Sequence, residues 1–170
     1  AQKNEFWYDK MVDNYPEQLC WLYARLHSLA KDGIIYGFFL ELRDIFEGMI
    51  RWYVLTGTAY AEHLEKKRMV ALLCAPNRTL SFGDWVNVFP RKLAEDDQIG
   101  SSPLGNLLAA LEQLYNKEGI VRWRNEAIGH GALQQDTSES FQISLEKNIL
   151  TLKQCLESNA MLARQIVYRS

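Results

Sequence analysis

Apolar residues in this chain return every third or fourth position along almost its whole length, and that spacing restricts the fold to helices packed on helices. The clearest run is Leu104, Leu107, Leu108, Leu111, Leu114 and Tyr115. It follows Ser102-Pro103, an N-cap and a proline suited to a first helical turn. Upstream, Phe6, Trp7, Met11 and Tyr15 begin a first helix that Pro16 restarts. Leu19, Leu22, Tyr23, Leu26 and Leu29 or Ala30 continue the pattern until Gly33 ends it. Phe38, Leu42, Ile45, Phe46, Met49, Trp52 and Tyr53 make a stripe wide enough for a central helix buried on more than one side, with Glu41, Arg43, Asp44 and Glu47 at the other positions. A break near Gly57 precedes a helix over 62–74, and Pro76-Asn77 turns the chain. Ser81 or Thr79 caps a segment carrying Phe82, Trp85, Val86 and Phe89, which Pro90 interrupts. Residues 95–102 (EDDQIGSS) read as a loop. Gly119 sets off a short helix from Ile120 to about Ile128, and a final helix over 138–167 buries Phe141, Leu145, Ile149, Leu152, Leu156 and Leu162. The expectation is an all-α bundle of about six or seven helices.

At 170 residues the chain suits one domain, 1–170, with a substantial core. Its first residue, Ala1, fits either loss of an initiator methionine or excision from a longer protein. Nineteen basic against 21 acidic residues leave a net charge of −2, so no global field draws the molecule onto nucleic acid. Lys66-Lys67-Arg68, Arg91-Lys92 and Arg122 with Arg124 are the basic clusters, and runs this short usually face solvent. Cys20, Cys74 and Cys155 are widely spaced in apolar surroundings without a CxxC pair, which suggests buried thiols in a reducing compartment. No signal peptide and no apolar run of the ~20 residues a membrane span needs are present, so a cytoplasmic protein off the membrane is expected. His27, His63 and His130 lie far apart, outside any metal-ligand spacing. No GxSxG or GxxxxGK[ST] appears, and no cofactor is expected. Trp21, Trp52, Trp85 and Trp123 occupy core spacing, with Trp7 partly exposed.

One polar run carries chemistry: RNEAIGHG, Arg124 to Gly131. Arg124 is permanently cationic and can grip a phosphate through two parallel hydrogen bonds. His130 is the side-chain type whose pKa suits proton transfer near neutrality. Asn125 can donate or accept, and Glu126 lies four residues before His130. On a straight helix Arg124 and His130 would sit ~120° apart, so they converge only if the helix bends or ends near Gly129. Gly129 and Gly131, flanking the histidine, make such a break feasible. The bland reading is a helix-terminal His130 bonded to Glu126, with Arg124 paired to any acid.

The run resembles the arginine–polar–histidine signature of the HEPN superfamily, small all-helical domains that include many ribonucleases of toxin and defence systems. The likeness is close over the motif and rests elsewhere on the helix pattern and the FGDWVNVF segment, Phe82 to Phe89. It implies a four-helix up-and-down core with extra helices, and a homodimer in which two motifs face one cleft. It also implies a metal-independent endoribonuclease of a bacterial toxin or antiviral defence system. By that resemblance Arg124, Asn125 and His130 are catalytic, Glu126 supports His130 from behind, and RNA is the substrate. A second reading keeps the ancestry without catalysis: a dimerising or sensing module of a larger defence or signalling protein. A third is an unrelated helical adaptor with a chance motif.

Overall fold

Caps, glycines and prolines decide where the helices of this chain begin and end. The structure is a computed structural model that describes residues 5–75, 77, 79–128 and 139–169, with side chains for all of these except 35, 125–128 and 139–145. The described residues form ten α-helices and one π-helical turn, with no strand. They are α1 (Met11–Asn14), α2 (Glu17–Lys31), α3 (Ile35–Tyr60), α4 (His63–Leu73), the π turn (Asp84–Val88), α5 (Phe89–Ala94), α6 (Asp97–Gly100), α7 (Pro103–Lys117), α8 (Ile120–Ile128), α9 (Glu139–Ser158) and α10 (Ala160–Arg169). The all-helical expectation holds, and the count exceeds the six or seven expected. Three short helices, α1, α5 and α6, account for part of the excess. The rest comes from the final helix, which divides at Asn159, whose carbonyl accepts from Ala163 as an N-cap residue's does.

Chain contacts divide the molecule into two compact units, Ala1–Phe46 with Trp123–Ser170, and Glu47–Arg122. In the first, Pro16 is the N-cap of α2, and Gly33 ends that helix at φ +70°, a conformation that favours glycine. Leu19, Tyr23 and Leu26 on α2 are buried, as are Phe38, Phe39, Leu42, Ile45 and Phe46 on α3. On α9, Leu152, Cys155 and Leu156 are buried; Phe141 and Leu145 lie outside the described side chains. The α1 helix packs on α2 and α10. Its end is tied by a small polar network: Tyr8 N–H donates to Tyr23 Oη at 2.8 Å, and Asn14 Nδ2 donates to Tyr8 Oη at 2.7 Å. Burial pushes the Tyr23 phenol up to about 12, although the Tyr8 amide opposes the shift. Tyr15 Oη donates to the Leu156 carbonyl at 2.7 Å, joining residues 141 positions apart.

The second unit owes its shape to close backbone approaches. The break expected near Gly57 falls instead after Tyr60, because Gly57 is a packing glycine inside α3: a Cβ there would lie 3.0 Å from Leu93 Cδ1 of α5. Ser81, rather than Thr79, starts the next segment through a reciprocal cap. Asp84 N–H donates to Ser81 Oγ at 3.1 Å, while Ser81 N–H donates to Asp84 Oδ2 at 2.8 Å. Pro90 does not interrupt the helix it enters. Phe89 N–H donates to the Asp84 carbonyl five residues back, so the ladder widens to π register just before the amide that Pro90 lacks. The EDDQIGSS segment is not a plain loop either. Asp96 caps α6 by accepting from Gln98 and Ile99 through Oδ1, and its Oδ2 accepts from Glu62 N–H at 2.9 Å at the start of α4. Ser102 and Pro103 are the N-cap and first residue of α7, as their order predicts. Gly105 in that first turn sits so close to Ile99 that a Cβ would fall 2.0 Å from its carbonyl oxygen.

Two burial expectations are corrected. Trp21 is 67% exposed, because Leu19, Tyr23 and Leu26 set the buried line of α2 and Trp21 falls off it. Cys74 is exposed at the C-cap of α4, whereas Cys20 is half-buried and Cys155 buried; all three are free thiols. Among the described residues, no helix is long and apolar enough to cross a membrane.

Candidate functional site

Helix α8 carries the first half of the RNEAIGHG motif. Gly119, at φ +66°, turns the chain out of α7 and allows α8 to start at Ile120. Ile120 is fully buried and Trp123 and Arg124 are half-buried, the i, i+3, i+4 spacing of one helix face. Arg122 points away from that face and is exposed. Trp123 packs against Phe39 of α3, ring centroids 4.7 Å apart and planes tilted at 58°. Of the two arginines in this helix, only Arg124 is therefore drawn into a partly water-excluded setting. There a guanidinium interacts with an anion more strongly than at an open surface.

The remaining motif residues are less fully described. Asn125 and Glu126 belong to the backbone of α8, but their side chains lie outside the described residues, and His130 lies outside them entirely. Among the described residues, no group of three or more His, Cys, Asp or Glu is placed to hold a metal ion.

Glu41 of α3, expected outside the apolar stripe, is a buried charged residue. It is 6% exposed. Its nearest charge is the Arg25 guanidinium, with Nε 3.7 Å from Oε1, too long for a hydrogen bond, and Arg25 itself is largely exposed. Burial raises the Glu41 pKa above the ordinary glutamate value; Arg25 pulls it down, Asp44 pushes it up and Arg43 pulls it down. The signal was present in the spacing, since Glu41 stands three residues after Phe38 and four before Ile45, inside the apolar stripe. No protein-family model, no curated protein and no solved structure matches this chain.

Proposed function

We propose that this chain is a HEPN-like domain that cleaves RNA without a metal, working as a homodimer in which two RNEAIGHG motifs line one cleft. The observation that supports the reading is Arg124, half-buried on the inward face of α8 next to Trp123, which packs against Phe39. In the proposed reaction, one His130 takes the proton from a ribose 2′-hydroxyl. That oxygen attacks the adjacent phosphorus, and the 5′ oxygen leaves as the second His130 of the dimer protonates it. The products are a 2′,3′-cyclic phosphate and a 5′-hydroxyl. Arg124 holds the phosphoryl oxygens as negative charge builds on them, the contribution that is usually largest in such sites. Asn125 orients the hydroxyl or Arg124, and Glu126 supports His130.

The purified protein is expected to cut single-stranded RNA in EDTA and to spare DNA, which lacks the attacking hydroxyl. Arg124→Ala and His130→Ala should each lower the rate about a hundredfold or more. An RNA background in EDTA that is the same for wild type and both variants would sink the proposal. The net charge of −2 favours a second reading, a non-catalytic HEPN-like dimerisation or sensing module of a larger defence protein. It predicts a stable dimer by sedimentation with no cleavage.

A further inference from the structure

The last helix, α10, exposes arginine, tyrosine and methionine side chains. Residues 160–169 hold two arginines and no acidic residue, within a chain whose net charge is −2. Ala163 is fully buried, while Met161 and Tyr168 are 70% and 68% exposed. Met161, Arg164, Gln165 and Tyr168 share one stripe by their three- and four-residue spacing. With Arg169 they line an open recess of about 400 Å³, and none of the described residues lining it carries a carboxylate. The Arg164 guanidinium lies over the Tyr168 ring, 5.5 Å from its centroid. Neither Arg164 nor Arg169 forms an ion pair with a described residue.

A solvated helix face ordinarily interleaves both signs of charge, and solubility alone does not call for an exposed tyrosine and methionine beside arginines. The chemistry gathered here is two guanidiniums for phosphate oxygens, an aromatic face for a base and an amide for a base edge. A duplex offers phosphates but keeps its bases stacked inside, whereas a single strand offers both together. We infer that the outward face of α10 binds single-stranded RNA. Arg164 and Arg169 hold adjacent phosphates and Tyr168 carries a stacked base. The choice of RNA rests on the endoribonuclease reading; the surface itself is independent of the RNEAIGHG motif.

Fluorescence anisotropy of a labelled single-stranded RNA, with the full chain in EDTA, tests the inference. An Arg164→Gln, Arg169→Gln double variant should bind about tenfold more weakly at about 50 mM salt. Its plot of log affinity against log salt should be shallower by ~1.4, for two lost phosphate contacts at ~0.7 each. Tyr168→Leu should cost about fivefold or more without changing that slope, because stacking releases no counterions. Lys31→Gln, an exposed charge at the end of α2, should track wild type. Circular dichroism on each variant confirms folding.

Equal affinity and slope in the double variant and wild type would overturn the inference, as would a wild type that binds no RNA at low salt. It would also be overturned if the double variant lost binding to phosphatidylserine vesicles and kept its affinity for RNA. Salt-sensitive binding through Arg164 and Arg169 without any cleavage would leave this surface standing and remove the endoribonuclease. Cleavage with binding indifferent to the double variant would do the reverse.

Discussion

Glu41 puts a carboxylate at a buried position of α3, where water cannot fully solvate its charge. Its raised pKa means that the unfolded chain ionises at lower pH than the folded one. Above the folded value, the charged group weighs against the native state. Below the ordinary glutamate range, both states hold the proton and the penalty vanishes. Glu41→Gln should therefore raise Tm at neutral pH and lose that advantage as the pH falls below about 4. Thermal melts of both proteins across this range check it, and a variant that melts lower at neutral pH would mean that the Arg25 attraction outweighs burial. Arg124 shows the same division between residue type and setting. Its charge could be read from the chain, but its half-burial depends on Ile120 and Trp123 fixing which side of α8 turns inward.

Among the elements, those fixed by local chemistry were legible in the sequence, and those fixed by neighbours were not. Ser102-Pro103 and Gly119 act through their own backbone preferences, so the start of α7 and the turn before α8 fall where those residues dictate. Gly57 and Pro90 carry the same breaker chemistry, yet helix continues through both. Tertiary packing uses Gly57 as a seat for Leu93, and the π turn absorbs the amide missing from Pro90. The small helix α6 was hidden because only Ile99 among its residues is strongly apolar, and Asp96 holds it from outside. Gly105 gives this packing a direct test. Alanine favours helices over glycine, so a purely local view predicts that Gly105→Ala stabilises α7. The carbonyl of Ile99 leaves no room for the added methyl, so a loss of about 1–3 kcal/mol is expected in chemical denaturation. A gain would mean that α6 can withdraw at little cost.

For the whole molecule, the all-helical class was legible because the apolar spacing runs nearly end to end, whereas the division into two compact units was not, since its boundaries fall inside α3 and α8. Glu47–Arg122 is one unbroken stretch with its own buried set, including Tyr53, Met69, Phe82, Phe89, Leu108 and Tyr115. A fragment of residues 47–122 is therefore expected to give a helical circular-dichroism spectrum and a cooperative melt. A broad, featureless melt would show that its core needs the rest of the chain. The candidate site was legible only as residue types: RNEAIGHG names the groups, but the meeting of Arg124 and His130 depends on geometry beyond Ile128. The bond from Tyr15 to Leu156 has a consequence during synthesis. On the ribosome, residues 47–122 emerge as one stretch, whereas α1 and Tyr15 are made before that stretch and must wait for α10 and Leu156, which are made after it. Until then α1 lacks one of the helices it packs on, and it is there that a chaperone would find something to hold.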